Sequence, residues 1–132
     1  MDGGGTKLDS AALAPNGFLF IGELSRETGV DPKTIRFYER AELLSPPRHG
    51  KFRTYLASDV RRLRNVLSLR RMGVPIAQIR ELFTLVPPDG EIFRDGNVAG
   101  VLRSHLDTLK SRLTEIDQQI AQTAQVLQNL AA

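Results

Sequence analysis

Apolar positions divide this chain into stretches of different period. From Phe18 onward Ile21, Leu24 and Thr28 share one helical face, and Gly29 supplies a left-handed stop. Asp31-Pro32 then opens a second helix, because a carboxylate caps free backbone N–H groups and proline is tolerated in a first helical turn. The pattern predicts that this helix runs through KTIRFYERAELL to Ser45, where Pro46-Pro47 forces the chain out. Two short helices joined by Gly29-Val30-Asp31 make a helix-turn-helix. Residues 48–56 (RHGKFRTYL) alternate bulky and cationic side chains, which predicts a hairpin turning near His49-Gly50, in the place of a wing. Ser58 and Asp59 offer N-caps for a helix to Met72, stopped by Gly73; Val60, Leu63, Val66 and Leu67 form its inner face, and Arg61, Arg64, Ser68 and Arg71 share another. Pro75 opens a fourth helix with Ile76, Ile79, Leu82 and Phe83 inward, Pro87-Pro88 closes it, and a polar loop leads to Asn97.

From Val98 the apolar spacing alternates between four and three. Leu102, Leu106, Leu109, Leu113, Ile116, Ile120, Leu127 and Leu130 form a heptad seam broken only by Thr123, on a helix spanning roughly 50 Å at 1.5 Å per residue. The rest of the chain holds no helix of equal length to cover that stripe, so the partner expected is a second copy, with packing back on its own domain as the alternative. The fold class expected is mainly α: a flexible N-terminal arm over 1–17, a winged helix-turn-helix DNA-binding domain over 18–86, a connecting loop over 87–97, and a coiled-coil dimerisation helix over 98–132. The arm reading rests on the small and polar residues of MDGGGTKLDSAALAPNG, which have too little bulk to bury.

Composition sharpens the picture by exclusion. No run of apolar residues is long enough to span a membrane and no signal peptide opens the chain, so a cytoplasmic protein is expected. The absence of cysteine removes disulfides, thiolate metal sites and cysteine nucleophiles together. The two histidines, His49 in the wing turn and His105 in a helix, have no nucleophile constellation nearby, so no enzymatic activity is expected. Asp89, Glu91, Asp95 and His105 surround the loop before the coil, but their spacing matches no metal motif and an acidic solvated loop is the commoner reading; neither metal nor cofactor is expected.

Charge points the other way. The net charge of +3 hides an asymmetry: residues 18–85 hold 13 Lys and Arg against 7 Asp and Glu, whereas residues 86–132 hold 4 against 6. Within residues 48–71 eight cations (Arg48, Lys51, Arg53, Arg61, Arg62, Arg64, Arg70, Arg71) face one acid, Asp59. Such a cluster suits a polyanion, and beside a helix-turn-helix the polyanion is double-stranded DNA, whose major groove admits a helix. Lys33, Thr34 and Arg36 lie in the first turns of the second helix, the end that enters the groove. Arg36 either bonds a guanine bidentately or clamps a phosphate, and Lys33 holds a phosphate. Of Phe37 and Tyr38 one belongs to the core, and Tyr38 is suited both to packing and to a phenolic phosphate contact.

The stretches FIGELSRETGVDPKTIRFYERAELLSPPR and FRTYLASDVRRLRNVLSLRRMGVPIAQIRELF closely resemble the MerR family of bacterial transcription regulators from Phe20 to about Phe83. Thr34–Glu39 (TIRFYE) and the R-x-Y of Arg53–Tyr55 carry the resemblance most specifically, and the heptad helix stands where such regulators carry their dimerisation helix. The resemblance implies a winged helix-turn-helix, an antiparallel coiled coil in a homodimer, a two-fold symmetric promoter operator, distortion of an overlong promoter spacer, and RNA polymerase as a further partner. Carried over by position, Lys33, Thr34, Arg36, Phe37 and Tyr38 match recognition-helix contacts, Arg48, Arg53 and Tyr55 match wing contacts, and Arg71 a phosphate-facing position; Lys51 and Arg61 join them from the charge pattern. Two departures limit the transfer. Lys51-Phe52 stands where many members have Gly-Tyr, so a phenol is lost and a cation gained. The cysteines of metal- and redox-sensing members are missing, and the chain stops just after the coil, so no appended effector domain is expected. The competing readings are an architectural or recombination-directing DNA-bending protein and, in another class, a coiled-coil protein-interaction adaptor.

Overall fold

The computed structural model describes residues 17–132; the arm expected over 1–17 lies, apart from Gly17, outside the described residues. The chain is mainly helical, as its periodicity predicts. Helix α1 (Ile21–Thr28) and helix α2 (Pro32–Arg40) form the helix-turn-helix. Gly29 closes α1 at φ 74° with its N–H on the Ser25 carbonyl, and the Asp31 carboxylate caps α2 by accepting from the Lys33 N–H at 3.0 Å.

One element escaped the pattern. Leu19–Phe20 form a strand, β1, ahead of α1. It pairs antiparallel with β3 (Phe52–Tyr55), which pairs in turn with β2 (Arg48–His49), giving the sheet order β1-β3-β2. The wing is therefore a three-stranded sheet with β3 in the middle, and its turn sits at Gly50-Lys51, with Gly50 at φ 66°.

Helix α2 is shorter than predicted. It ends at Arg40 because Leu43 N–H reaches back to the Tyr38 carbonyl and Glu42 N–H to the Glu39 carbonyl, a Schellman stop in which Glu42 takes the left-handed conformation at φ 66°. The turn drives Leu43 and Leu44 into the core, where they are 0% and 3% exposed. Burial of two leucines, each contributing about 1.5–3 kcal/mol, outweighs the continued helix that propensity favours. Two arginines hold the turn: Arg80 Nε donates to the Ala41 carbonyl at 2.9 Å, and Arg62 Nε to the Leu43 carbonyl.

Helix α3 (Ala57–Arg71) starts with Leu56 as its N-cap residue, so neither Ser58 nor Asp59 is the cap. Asp59 lies in the third helical position and accepts from the Leu56 N–H at 2.9 Å. Gly73, at φ 82°, ends α3 through the same Schellman pattern, Val74 N–H to the Leu69 carbonyl and Gly73 N–H to the Arg70 carbonyl. Helix α4 (Ile76–Leu82) stops before Pro87, since Val86 turns inward to 4% exposure. The connection expected to be a polar loop contains a 3-10 turn at Ile92–Arg94 with Ile92 buried.

Helix α5 (Gly96–Ala131) has 36 residues and is capped by Asp95, whose carboxylate accepts from the Asn97 N–H at 2.8 Å. Its root packs on the domain: Val98 is buried, Val101 and Leu102 lie against the core, and buried His105 places Nε2 2.7 Å from the Met72 carbonyl at the end of α3. Beyond that root most of α5 is exposed among the described residues. Leu106, Leu113, Ile116, Ile120 and Leu127 of the seam are 45–62% exposed, while Leu102 and Leu109 are half-buried. No helix among the described residues is long and apolar enough to cross a membrane.

Candidate nucleic-acid interface

Helix α2 is two-faced. Ile35 and Tyr38 are buried against α1 and the core, which leaves Lys33, Arg36, Phe37 and Arg40 exposed along the opposite side at helical spacing. The helix begins at a capped, rigid turn, so its first residues are held out from the domain on a fixed axis. Tyr38 is 6% exposed and its ring lies 5.8 Å from that of Phe37, which is 45% exposed; the packing half of the Tyr38 reading describes where this ring sits.

The wing adds a second exposed cationic edge. Arg48 and Lys51 are exposed, and Thr54 fastens the hairpin by donating its N–H and hydroxyl to the Pro47 carbonyl at 2.9 and 3.0 Å. Arg53 and Tyr55, two apart on β3, project from one face of the strand and meet a single acceptor. Arg53 Nε donates to one oxygen of the Glu39 carboxylate and the Tyr55 hydroxyl donates to the other. Tyr55 is fully buried, so this residue faces inward and not into solvent. Burial, and then the bond to Glu39, push its phenol well above the ordinary tyrosine range. The same carboxylate raises the Arg53 guanidinium, chiefly through their hydrogen bond.

Glu39 therefore latches helix α2 to the wing beside it. Sequence reasoning missed this residue, although one signal was present: a cation and a phenol two apart on a strand share a face, and TIRFYE carries the only acid on α2.

The remaining predicted cations divide by what they hold. Arg61 on α3 donates Nε to the Asp89 carbonyl at 3.1 Å with the Asp89 carboxylate 4.0 Å away, and Asn65 donates to the Pro88 and Gly90 carbonyls, so these two side chains clamp the connecting segment. Arg62 lies over the Phe83 ring at 5.4 Å, and Arg70 donates to the Val74 carbonyl at 3.0 Å. Arg71 is exposed near the end of α3. Three arginines of α3, Arg61, Arg62 and Arg70, thus spend guanidinium N–H groups on backbone carbonyls of this chain, whereas Lys33, Arg36 and Arg40 of α2 and Arg48 and Lys51 of the wing are exposed.

The titratable side chains around the connecting segment have separate tasks. Asp89 faces Arg61, Glu91 pairs with Arg94 at 3.3 Å, Asp95 caps α5, and His105 holds the Met72 carbonyl. Among the described residues no three such side chains converge on one point. Asp59 is 8% exposed, and burial raises its carboxyl above the usual range against the opposing effects of the Leu56 N–H and Arg62.

Comparison with known proteins gives matches over the same segments. A family model described as MerR HTH family regulatory protein matches residues 20–85, and one described as MerR, DNA binding matches residues 60–132. The chain is 32% identical over 111 residues to the HTH-type transcriptional regulator HmrR of Rhizobium leguminosarum bv. viciae, covering 83% of this chain and 79% of that protein. It is 30% identical over 99 residues to the regulator ZntR of Escherichia coli, covering 73% and 69%. It is 42% identical over 69 residues to the mercuric resistance operon regulatory protein of Serratia marcescens, covering 51% and 48%.

Proposed function

The chain belongs to the MerR family of DNA-binding transcription regulators, and on that premise we propose that it acts as a homodimer on a two-fold symmetric promoter operator. The observation that carries this reading is the capped helix α2 with Lys33, Arg36, Phe37 and Arg40 exposed on one side and the wing cations Arg48 and Lys51 next to it. Arg36 and Thr34 read the groove, Lys33, Arg48, Lys51 and Arg71 hold phosphates, and Arg53 serves the backbone contact while Glu39 fixes its direction. Tyr38 and Tyr55 act from inside by setting the helix and the wing.

The dimer forms along α5. Each seam leucine or isoleucine removed from water contributes about 1.5–3 kcal/mol, and among the described residues Leu113, Ile116, Ile120 and Leu127 of the seam are largely exposed. Two domains joined by a stiff coil hold their recognition helices at one separation. An operator whose half-sites differ from that separation must bend or untwist, at a cost of order 1–6 kcal/mol that the flanking phosphate contacts offset. RNA polymerase, positioned on that same spacer in the bacterial cytoplasm, responds to the distortion. Relatives include a mercuric resistance operon regulator; the sequence of this chain offers no thiolate ligand.

The test combines Leu113→Asp with Ile116→Asp. Two carboxylates in an apolar seam should yield monomers in sedimentation, and affinity for a genome-selected operator should fall by about a hundredfold or more as the linked second half-site is lost. A variant that stays dimeric and binds at wild-type affinity refutes the interface. A wild type that binds selected and random duplexes equally refutes sequence-specific regulation.

A further inference from the structure

Between the start of α1 and the wing lies a cleft of about 510 Å³, lined by Phe20, Ile21, Arg36, Lys51, Phe52 and Arg53. Its floor is aromatic. The Phe20 and Phe52 rings meet edge to face with centroids 6.0 Å apart, and Phe18 supports Phe20 at 5.3 Å. Phe52 is nonetheless 61% exposed. Single exposed rings are ordinary on a protein surface, but contacting rings open to solvent and rimmed by cations form a shaped patch. Arg36 comes to that rim from α2 and Lys51 from the wing turn, both exposed, whereas the Nε of Arg53 is committed to Glu39.

We propose that this cleft seats one sugar–phosphate unit of the DNA backbone, with Lys51 holding the phosphate, the Phe20–Phe52 floor carrying the deoxyribose, and Arg36 at the rim left to the adjoining groove. The inference rests on the DNA-binding reading above and adds to it a sugar contact. A phosphate alone needs no aromatic floor. A base edge needs hydrogen-bonding groups that phenyl rings lack. A deoxyribose beside its phosphate presents both surfaces at once, an anion and an apolar face that bears no hydroxyl at C2′. The contact therefore discriminates DNA from RNA at one step, because a 2′-hydroxyl there would be pressed against rings that offer it no partner.

The experiment steps a single ribonucleotide through each half-site of the operator and measures affinity by fluorescence anisotropy for the wild type, Phe52→Ala and Phe52→Leu. At one step per half-site the 2′-hydroxyl should weaken wild-type binding roughly tenfold, equivalent to about 1.4 kcal/mol, as for a hydroxyl desolvated without a partner. Phe52→Ala should reduce that penalty to less than about twofold, and Phe52→Leu, which keeps an apolar floor, should retain most of it. Because Phe52 is largely exposed, both variants should melt with the wild type. A flat ribonucleotide profile overturns the sugar seat while leaving DNA binding intact, and so does a penalty that persists in Phe52→Ala. Uracil in place of thymine serves as the second arm: a loss on removing the methyl that Phe52→Ala abolishes places the floor against a base and also overturns the proposal. Loss of all preference for the unmodified operator is a different result, since it removes the DNA-binding reading itself.

Discussion

Replacing Glu39 by alanine tests the latch between α2 and the wing. The change strands two donors of unequal exposure. Tyr55 is fully buried, so its hydroxyl, left without an acceptor, costs about 1–3 kcal/mol. The Arg53 side chain is 30% exposed and turns to water when released, so its pair adds only about 0.5–1 kcal/mol after solvent screening. The expected loss is about 1.5–4 kcal/mol, read by circular dichroism as a lower urea midpoint at unchanged slope. Tyr55→Phe removes the same hydroxyl, so combining it with Glu39→Ala should cost at least about 1 kcal/mol less than the two changes summed. The alkaline limb gives an independent reading. A phenol whose pKa is raised in the folded state contributes stability that is fully present below the ordinary tyrosine value and is lost as pH rises through the folded value. Tyr55→Phe should therefore flatten the loss of stability above about pH 10. Glu39→Ala costing less than about 0.5 kcal/mol, or strict additivity with Tyr55→Phe, would sink the argument that one carboxylate joins helix to wing.

The two Schellman stops make a matched pair: Glu42→Gly should raise the melting temperature by relieving a left-handed residue, worth up to about 1 kcal/mol, and Gly73→Ala should lower it by a similar amount. A destabilised Glu42→Gly would mean that the exposed ion pair with Arg80, at 3.8 Å, outweighs backbone strain. Asp59 is raised by burial, so its contribution is most favourable at acid pH and declines as pH rises through its folded value. Asp59→Asn should keep the Leu56 N–H acceptor and grow more stable relative to wild type between pH 4 and pH 7, measured by urea unfolding; a pH-independent difference would contradict the burial argument.

Local chemistry made the helix-turn-helix legible: Gly29 and Asp31-Pro32 act on their own neighbours, and the structure puts the stop and the cap where those residues stand. The end of α2 was not legible in that way. Nothing in AELL forbids helix, and the stop arises from burial of Leu43 and Leu44 and from carbonyls taken by Arg62 and Arg80, which come from distant parts of the chain. Strand β1 was hidden for a related reason, since two residues have no period and become a strand only by pairing with Thr54 and Tyr55. At the candidate interface the exposed cations of α2 followed from helical spacing. The inward turn of Tyr55 did not, because alternation along β3 says which residues share a face and leaves open which face is buried.

Helix α5 also has the proportions of a lever. Its pivot is the root at Val98–His105, where the imidazole touches the last carbonyl of the third helix, and about 39 Å of rod extends from His105 to Ala131. A tilt of about 5° at that pivot moves the far end by roughly 3 Å, close to the rise of one base pair, about 3.4 Å. A small rearrangement around Met72, Gly73 and His105 would thus be magnified at the far end of the helix into a displacement on the scale at which DNA is indexed.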